Sequence, residues 1–172
     1  AINRDKLTQQ YANTLIKKFP KRFSFFQRKF SDLDKIIRSN SNPRAVVFDL
    51  GLSSLQLSDH QRGFSFKSNG HLSMEMGINK YSAYDVVNTL DKKYLTSIIK
   101  ILGEEKDGRI IANKIIKYRT KKPIKTSEGL TSIINDAKRN YNKYKKNPAT
   151  KTFQAIRIFV NQELTELILG LI

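Results

Sequence analysis

One stretch of this chain runs an apolar segment straight into side chains that can do chemistry. Ala45 to Phe48 is apolar and contains two adjacent valines; it stops at a carboxylate, Asp49, followed by Gly51, Ser53, Ser54 and Gln56. That order reads as a buried strand delivering an acid into a loop. In α/β folds, ligands bind where strands end at the carboxyl edge of the sheet. The competing reading makes Asp49 a turn or helix-cap acid, and spacing alone does not separate the two. A basic set, Lys106, Arg109, Asn113 and Lys117, falls on one helical stripe that could follow a phosphate backbone or simply face water. A polar set, Gln154, Arg157 and Asn161, lines a late helix. Amide and guanidinium groups in such a row can bind a ligand or a loop, or only satisfy nearby backbone.

Charge narrows the partners. The 172 residues carry 32 Lys+Arg against 15 Asp+Glu, a formal net charge of +17. That excess favours a polyanion, nucleic acid first and an anionic membrane surface second, against a composition that only keeps the protein soluble. There is no cysteine, which excludes disulfides, thiolate metal sites and cysteine nucleophiles. With His60 and His71 the only histidines, no histidine-based metal site is expected. No apolar run approaches the roughly 20 residues that span a bilayer. The chain opens on Ala1 rather than Met, which leaves room for an upstream start and a targeting segment.

The elements that would position these residues follow from periodicity. Lys6 to Phe19 has helical spacing, with Leu7, Tyr11, Leu15 and Ile16, and Phe19 one turn later, and Pro20 ends it. Arg22 to Gln27 alternates like a strand, and Ser31 is expected to cap a short helix holding Leu33, Ile36 and Ile37. A Ser39–Pro43 loop leads into the Ala45 strand, giving an alternation that predicts a parallel sheet with crossover helices. From Ser58 to Asn79 no period is sustained, and Phe64, Phe66, Met74 and Met76 are expected to anchor that loop by packing. Helices follow. Ser82 and Asp85 form an acidic capping box, and Asp91 caps a helix that stops at Gly103. A helix from Glu105 to Tyr118 is interrupted by Gly108, and Ser127 caps the next. Lys138 to Lys146 interleaves Tyr141 and Tyr144 with cations, a pattern suited to single-stranded RNA or to a solvated connector. One long helix from Lys151 to Gly170 is expected to bury Phe153, Ile156, Val160, Leu164 and Leu167.

Four blocks, VFDLGLSSLQL, RGFSF, the GEE of Gly103 to Glu105, and PATKTFQAIRIFVNQEL from Pro148 to Leu164, together resemble the ribosomal small-subunit methyltransferase H family, also called MraW. The resemblance runs nearly end to end. It implies an α/β protein: a partial Rossmann-like class I methyltransferase sheet interrupted by an all-helical insertion domain. Residues 1–56 and 149–172 would form the methyltransferase part and 57–148 an RNA-binding insertion. It also implies S-adenosylmethionine as cofactor and methylation of the N4 amine of a cytidine in small-subunit ribosomal RNA. A non-enzymatic RNA-binding remnant is the alternative. The implied partner is that RNA or a 30S-type subunit, with no membrane and with a homodimer open. The implied setting is a bacterial-type cytoplasm, or an organelle in a eukaryote.

Site positions carry over from the resemblance residue by residue. Asn3 stands where the family has an acid for the ribose hydroxyls, and Phe30 matches the aromatic beside the adenine. Asp49 and Gln56 match further cofactor positions. Asp49 is also the candidate acceptor for the amine hydrogens. Ser53, Ser54, Lys106, Arg109, Lys117, Arg157 and Asn161 are candidates on the RNA side, and no metal is expected. Departures are Leu55 in place of proline, Ser73 and Glu75 in place of Asp and Arg, and Asp107-Gly108 in place of helix formers. The family's Gly-rich cofactor loop and its SFHSLEDR-like block have no counterpart in these 172 residues. Weak or no cofactor binding by the chain as given is the consequence expected.

Overall fold

The computed structural model describes residues 1–37, 43–138 and 147–172. The expected Ser39–Pro43 loop falls mostly outside these residues, as do Tyr141 and Tyr144. The described residues divide into two compact units. The first comprises Ala1–Gly51, Met76–Ile78 and Gln162–Ile172; the second comprises Leu52–Glu75 and Asn79–Asn161.

In the first unit, Asp5 starts helix α1 (Thr8–Lys18). Its carbonyl accepts from the Thr8 hydroxyl at 2.6 Å and its Oδ1 from the Leu7 N–H at 3.1 Å. Leu7, Tyr11, Leu15, Ile16 and Phe19 give this stretch its helical spacing. All five are exposed, and Ala12 is the buried residue of α1. The expected strand over Arg22–Gln27 amounts to a single parallel bridge, Ile2 with Phe26. Ser31 does not cap a helix; it lies inside a 3-10 turn, Phe30–Asp32, that leads into α2 (Leu33–Ile36).

The Ala45–Phe48 stretch forms no strand here, and among the described residues there is no strand longer than an isolated bridge. The physical reason is pairing. A strand exists only where its backbone N–H and C=O groups meet a neighbour, and residues 44–51 make no hydrogen bond to any described residue. Apolar pattern alone does not supply that neighbour.

The second unit is helical. It opens with α3 (Ser54–Ser58), a second 3-10 turn (His60–Arg62) and a loop. Phe64 and Met74 are buried there, and Phe66 stacks edge-on against Phe153 with centroids 4.9 Å apart. Helix α4 (Ala83–Thr89) begins with the expected capping box, in which Ser82 and Asp85 satisfy each other's backbone N–H, and it buries Ala83, Val86 and Val87. Helix α5 (Lys92–Leu102) buries Leu95, Ile98 and Ile99 and ends at Gly103. A Cβ on Gly103 would lie 2.4 Å from the Lys151 carbonyl oxygen, so only glycine permits this approach of chain to chain. Helix α6 (Gly108–Arg119) starts at Gly108 rather than containing it, so the cost of an interior glycine does not arise.

Helix α7 (Ser127–Ala137) is capped by Thr126, not Ser127. The Ser127 hydroxyl instead donates to the Gly63 carbonyl at 2.6 Å. Helix α8 (Thr150–Asn161) buries Phe153, Ile156 and Val160 against α4 and α5. The long final helix expected to Gly170 is broken at Gln162, whose φ of 51° and ψ of 34° are left-handed; α9 (Glu163–Leu171) then belongs to the first unit. Leu164, expected inward, is exposed. The compact units thus divide the chain at 51/52 and 161/162, with Met76–Ile78 joining the first.

Candidate functional site

Among the residues expected near a cofactor, Phe30 is seated by contacts from distant parts of the first unit. Its ring meets Phe48 edge to face, with centroids 5.3 Å apart at 86°. Both of its chain neighbours are gripped by one buried carboxylate from α9. Glu166 lies 3.1 Å from the Lys29 Nζ through Oε1 and accepts the Ser31 N–H at 3.3 Å through Oε2. Burial pushes the Glu166 carboxyl up, but the bonds from Ser31 and Lys29 outweigh it and hold the group below its ordinary value. Gly170 completes the seat: a Cβ there would stand 3.0 Å from the Phe30 carbonyl oxygen and 3.2 Å from its Cβ. Lys29, Glu166 and Gly170 were not among the expected site residues. The available signal was Glu166 itself, a single acid inside the apolar run LTELILGL.

Asn3 and Asp49 are less confined, whereas Gln56 is buried. Asn3 is exposed, and its Oδ1 accepts the Asp5 N–H at 2.9 Å. Asp49 is exposed and makes no hydrogen bond to a described residue. Gln56 lies in the second unit and is buried in the capping box that opens α3. Its Oε1 accepts the Ser53 N–H at 3.0 Å, while the Ser53 Oγ accepts the Gln56 N–H at 3.3 Å. Ser53 and Ser54 are exposed at that helix start.

Among the basic candidates, Lys106 precedes α6, while Arg109, Asn113 and Lys117 present themselves to solvent along it. Lys114 on the same helix is tied to Asp136 of α7 at 2.6 Å. Arg157 is half-buried on α8. Asn161 is fully buried: its Nδ2 donates to the Met74 and Arg157 carbonyls at 2.8 and 2.9 Å, and its Oδ1 accepts from Asn79 Nδ2 at 2.8 Å. Asn161 thus acts by position, holding the end of α8 to the 74–79 loop. Met74 needs that hold, since its backbone sits at φ 55°, where a non-glycine residue is strained. Ser73 and Glu75, which depart from the family pattern, bond each other from Oγ to Oε2 at 2.6 Å. Beneath α6, Lys138 and Glu105 form a buried ion pair at 2.5 Å, and Glu105 also accepts the Asp107 N–H at 3.1 Å.

Among the described residues no three or more His, Cys, Asp or Glu side chains are grouped to hold a metal ion, and no helix is long and apolar enough to cross a membrane.

One unit is helical with an exposed basic helix, and the other carries a seated aromatic and an open carboxylate. The chain belongs to the MraW methylase family, whose model matches residues 1–171. It is 44% identical over 174 residues to the ribosomal RNA small subunit methyltransferase H of Ehrlichia canis, covering 99% of this chain and 59% of that relative. The Orientia tsutsugamushi protein of the same name is 41% identical, over 96% of this chain and 54% of the relative. The one from Campylobacter jejuni is 42% identical, over 95% and 52%. The chain therefore spans between half and three fifths of the length of these relatives.

A methyl donor comes with a methylase family. For an adenosyl donor the residues present fit in part. Phe30 offers a fixed ring and Asp49 an open carboxylate, whereas the Oδ1 of Asn3 and the Oε1 of Gln56 each already accept a backbone N–H.

Proposed function

We propose that the whole protein methylates the N4 amine of a cytidine in small-subunit ribosomal RNA, with S-adenosylmethionine as methyl donor. The observation that carries this reading is identity of 41–44% to relatives named for that RNA, extending over 96–99% of this chain. In this reading residues 1–56 and 149–172 belong to a Rossmann-like methyltransferase domain, and 57–148 form an insertion that meets RNA. The relatives named are bacterial, which favours a bacterial cytoplasm over an organelle.

Asn3, Phe30, Asp49 and Gln56 serve the cofactor side. Phe30 supplies the face for the adenine, and Asn3 still offers its Nδ2. The cofactor, when bound, supplies an electrophilic methyl group. The cytosine amine is a poor nucleophile because its lone pair is delocalised into the ring. Asp49 accepts a hydrogen bond from that amine, stabilising positive charge as it develops on nitrogen. The competing role for Asp49 is cofactor contact alone. Asp49→Asn in the full-length Ehrlichia canis relative separates them: lost cofactor affinity with normal turnover of the bound cofactor excludes the catalytic role.

On the RNA side stand Ser53, Ser54, Lys106, Arg109, Lys117 and Arg157, with Asn161 holding the helix that carries Arg157. The second unit holds most of the chain's excess positive charge, which supports this division. Filter binding of the 172-residue chain to small-subunit RNA across a salt series tests it. Each phosphate contact contributes a slope of about −0.7 to −0.9 in log K against log[salt], so neutralising Lys106, Arg109 and Lys117 together should flatten the slope by about two. A slope near zero in the unaltered chain rules the assignment out. The second reading, an RNA-binding remnant without turnover, is favoured by the engagement of the Asn3 and Gln56 amide oxygens with backbone N–H groups. It predicts the same salt slope with no cofactor binding even when the rest of the polypeptide is supplied.

A further inference from the structure

We infer that the basic loop after α6 and the ring pair His71–Tyr84 form one contact for a single-stranded stretch of RNA. An unpaired base lies on the rings, and neighbouring phosphates meet Lys121, Lys122 and Lys125. The inference rests on the RNA reading above and deepens it, since none of these five residues belongs to the stripe of Lys106, Arg109 and Lys117.

Three observations carry it. First, the loop is pinned on one side and free on the other. Residues 117–125, KYRTKKPIK, hold five cations and no acid. The Arg119 guanidinium donates to the Val87 carbonyl near the end of α4 at 2.8 Å. The Asn88 amide clamps Ile124, donating to its carbonyl and accepting its N–H, each at 2.9 Å, and the Ile124 side chain is buried. Lys121, Lys122 and Lys125 are exposed. Lys121 and Lys125 pair with no acid among the described residues, and the Lys122 Nζ lies 5.4 Å from the centroid of the Tyr118 ring. Cations on a fixed backbone lose little freedom when a polyanion arrives. Second, the rings are tied to that loop. His71 is exposed, and its ring centroid lies 5.3 Å from that of Tyr84 at an inclination of 34°. His71 bridges Thr126, and the Leu72 N–H donates to the Lys125 carbonyl at 2.9 Å. The same Asn88 amide that holds Ile124 donates to the Tyr84 carbonyl at 2.8 Å. Third, the acid whose charge reaches His71 is already engaged: the Asp85 carboxylate accepts the Ser82 N–H at 2.8 Å and its hydroxyl at 2.7 Å.

Aromatic faces beside cations that track a backbone hold single strands without reading their sequence, because every base has a face to stack. A duplex keeps its bases stacked on one another and meets only the lysines. An anionic membrane also draws on the lysines and offers the rings no base.

The test measures binding of the 172-residue chain, by fluorescence anisotropy, to an end-labelled single-stranded oligoadenylate of roughly ten nucleotides. An abasic strand of the same length, an RNA duplex and vesicles of phosphatidylglycerol are the comparison probes. His71→Ala should weaken the single strand by about fivefold or more while leaving the abasic strand and the duplex unchanged. His71→Phe keeps a ring and should bind the single strand like the parent. Each phosphate contact on a single strand contributes a slope of about −0.7 in log K against log[salt], so Lys121→Ala, Lys122→Ala and Lys125→Ala together should flatten it by about two. The lysines face solvent, so the circular dichroism of that variant should match the parent's. Equal losses on all three nucleic-acid probes in His71→Ala, or a His71→Phe that binds no better than His71→Ala, overturn the ring contact. A slope unmoved by the three lysine substitutions overturns the phosphate contact. Vesicles that displace the single strand and share its dependence on His71 assign the patch to a membrane and overturn it too. RNA binding that depends on Lys106, Arg109 and Lys117 but not on the loop refutes this patch and leaves the RNA reading standing. A whole protein that binds through the patch yet methylates no RNA sinks the proposed activity and leaves the patch in place.

Discussion

Glu166 on α9 holds Lys29 through one carboxylate oxygen and the Ser31 N–H through the other, so the residue between them, Phe30, is fixed from a segment more than a hundred residues away in the chain. The ring itself is set against Phe48. The seat of the candidate cofactor aromatic is thus a tertiary construction within the first unit, made by one buried acid and one glycine.

Removing that acid should loosen the seat. Glu166→Ala leaves the Ser31 N–H and the Lys29 ammonium without their acceptor, at a cost of about 1–3 kcal/mol. Glu166→Gln keeps an acceptor for Ser31 and should cost less. Urea denaturation gives the ordering, and amide exchange at Ser31 locates it. Equal midpoints for the two variants and the parent would show that the carboxylate contributes nothing.

Acid should weaken the first unit through the same group. The folded Glu166 carboxyl lies below its ordinary 4.5, so the unfolded chain binds its proton at higher pH than the folded one does. Its contribution is therefore complete above the unfolded value and disappears as pH falls through the folded value. Asp85, held below its ordinary 3.8 by the Ser82 hydroxyl and N–H, acts the same way in the second unit. Urea midpoints between pH 7 and pH 3 should fall at the acid end, and Glu166→Gln should make that fall shallower.

The buried pair Lys138–Glu105 predicts strong coupling. Lys138→Met leaves a buried carboxylate without its cation and should cost about 3–5 kcal/mol. Adding Glu105→Leu should return part of that loss, since two apolar side chains replace two charges, but not all of it, because the Asp107 N–H loses its acceptor. Additive losses in the double mutant would mean the pair is not coupled.

Asn161 should prove a structural residue whose loss is felt locally. Asn161→Ala strips the Met74 carbonyl of its donor and should cost about 1–3 kcal/mol. Asn161→Asp should cost more, because a carboxylate then faces carbonyl oxygens. If RNA affinity falls sharply in Asn161→Ala while the urea midpoint holds, the side chain touches RNA and the positional role is wrong.

Where an element is specified by its neighbours along the chain, its pattern could be read from sequence. The Ser82–Asp85 capping box, the buried faces of α4 to α6, the stop at Gly103 and the inward Phe64 and Met74 all rest on contacts a few residues apart or on helical period. The cap of α7 shows the limit of that reading. Thr126 and Ser127 are both good caps, and the distant Gly63 carbonyl, by taking the Ser127 hydroxyl, decides between them.

The sequence by itself determined the helical segments of the second unit, the large positive charge, the absence of thiol chemistry and, through its motif blocks, the family. Only the tertiary structure decided three things. The final helix breaks at Gln162, a residue with no breaker signature, because α8 is held by Asn161 while α9 belongs to the other unit. Phe30 is seated by Glu166 and Gly170, whose roles depend on contacts across the chain. Ala45 to Phe48, the apolar run that ends in Asp49, pairs with no described residue and forms no strand. A helix closes its own hydrogen bonds and so announces itself locally, whereas a strand is made by its partner.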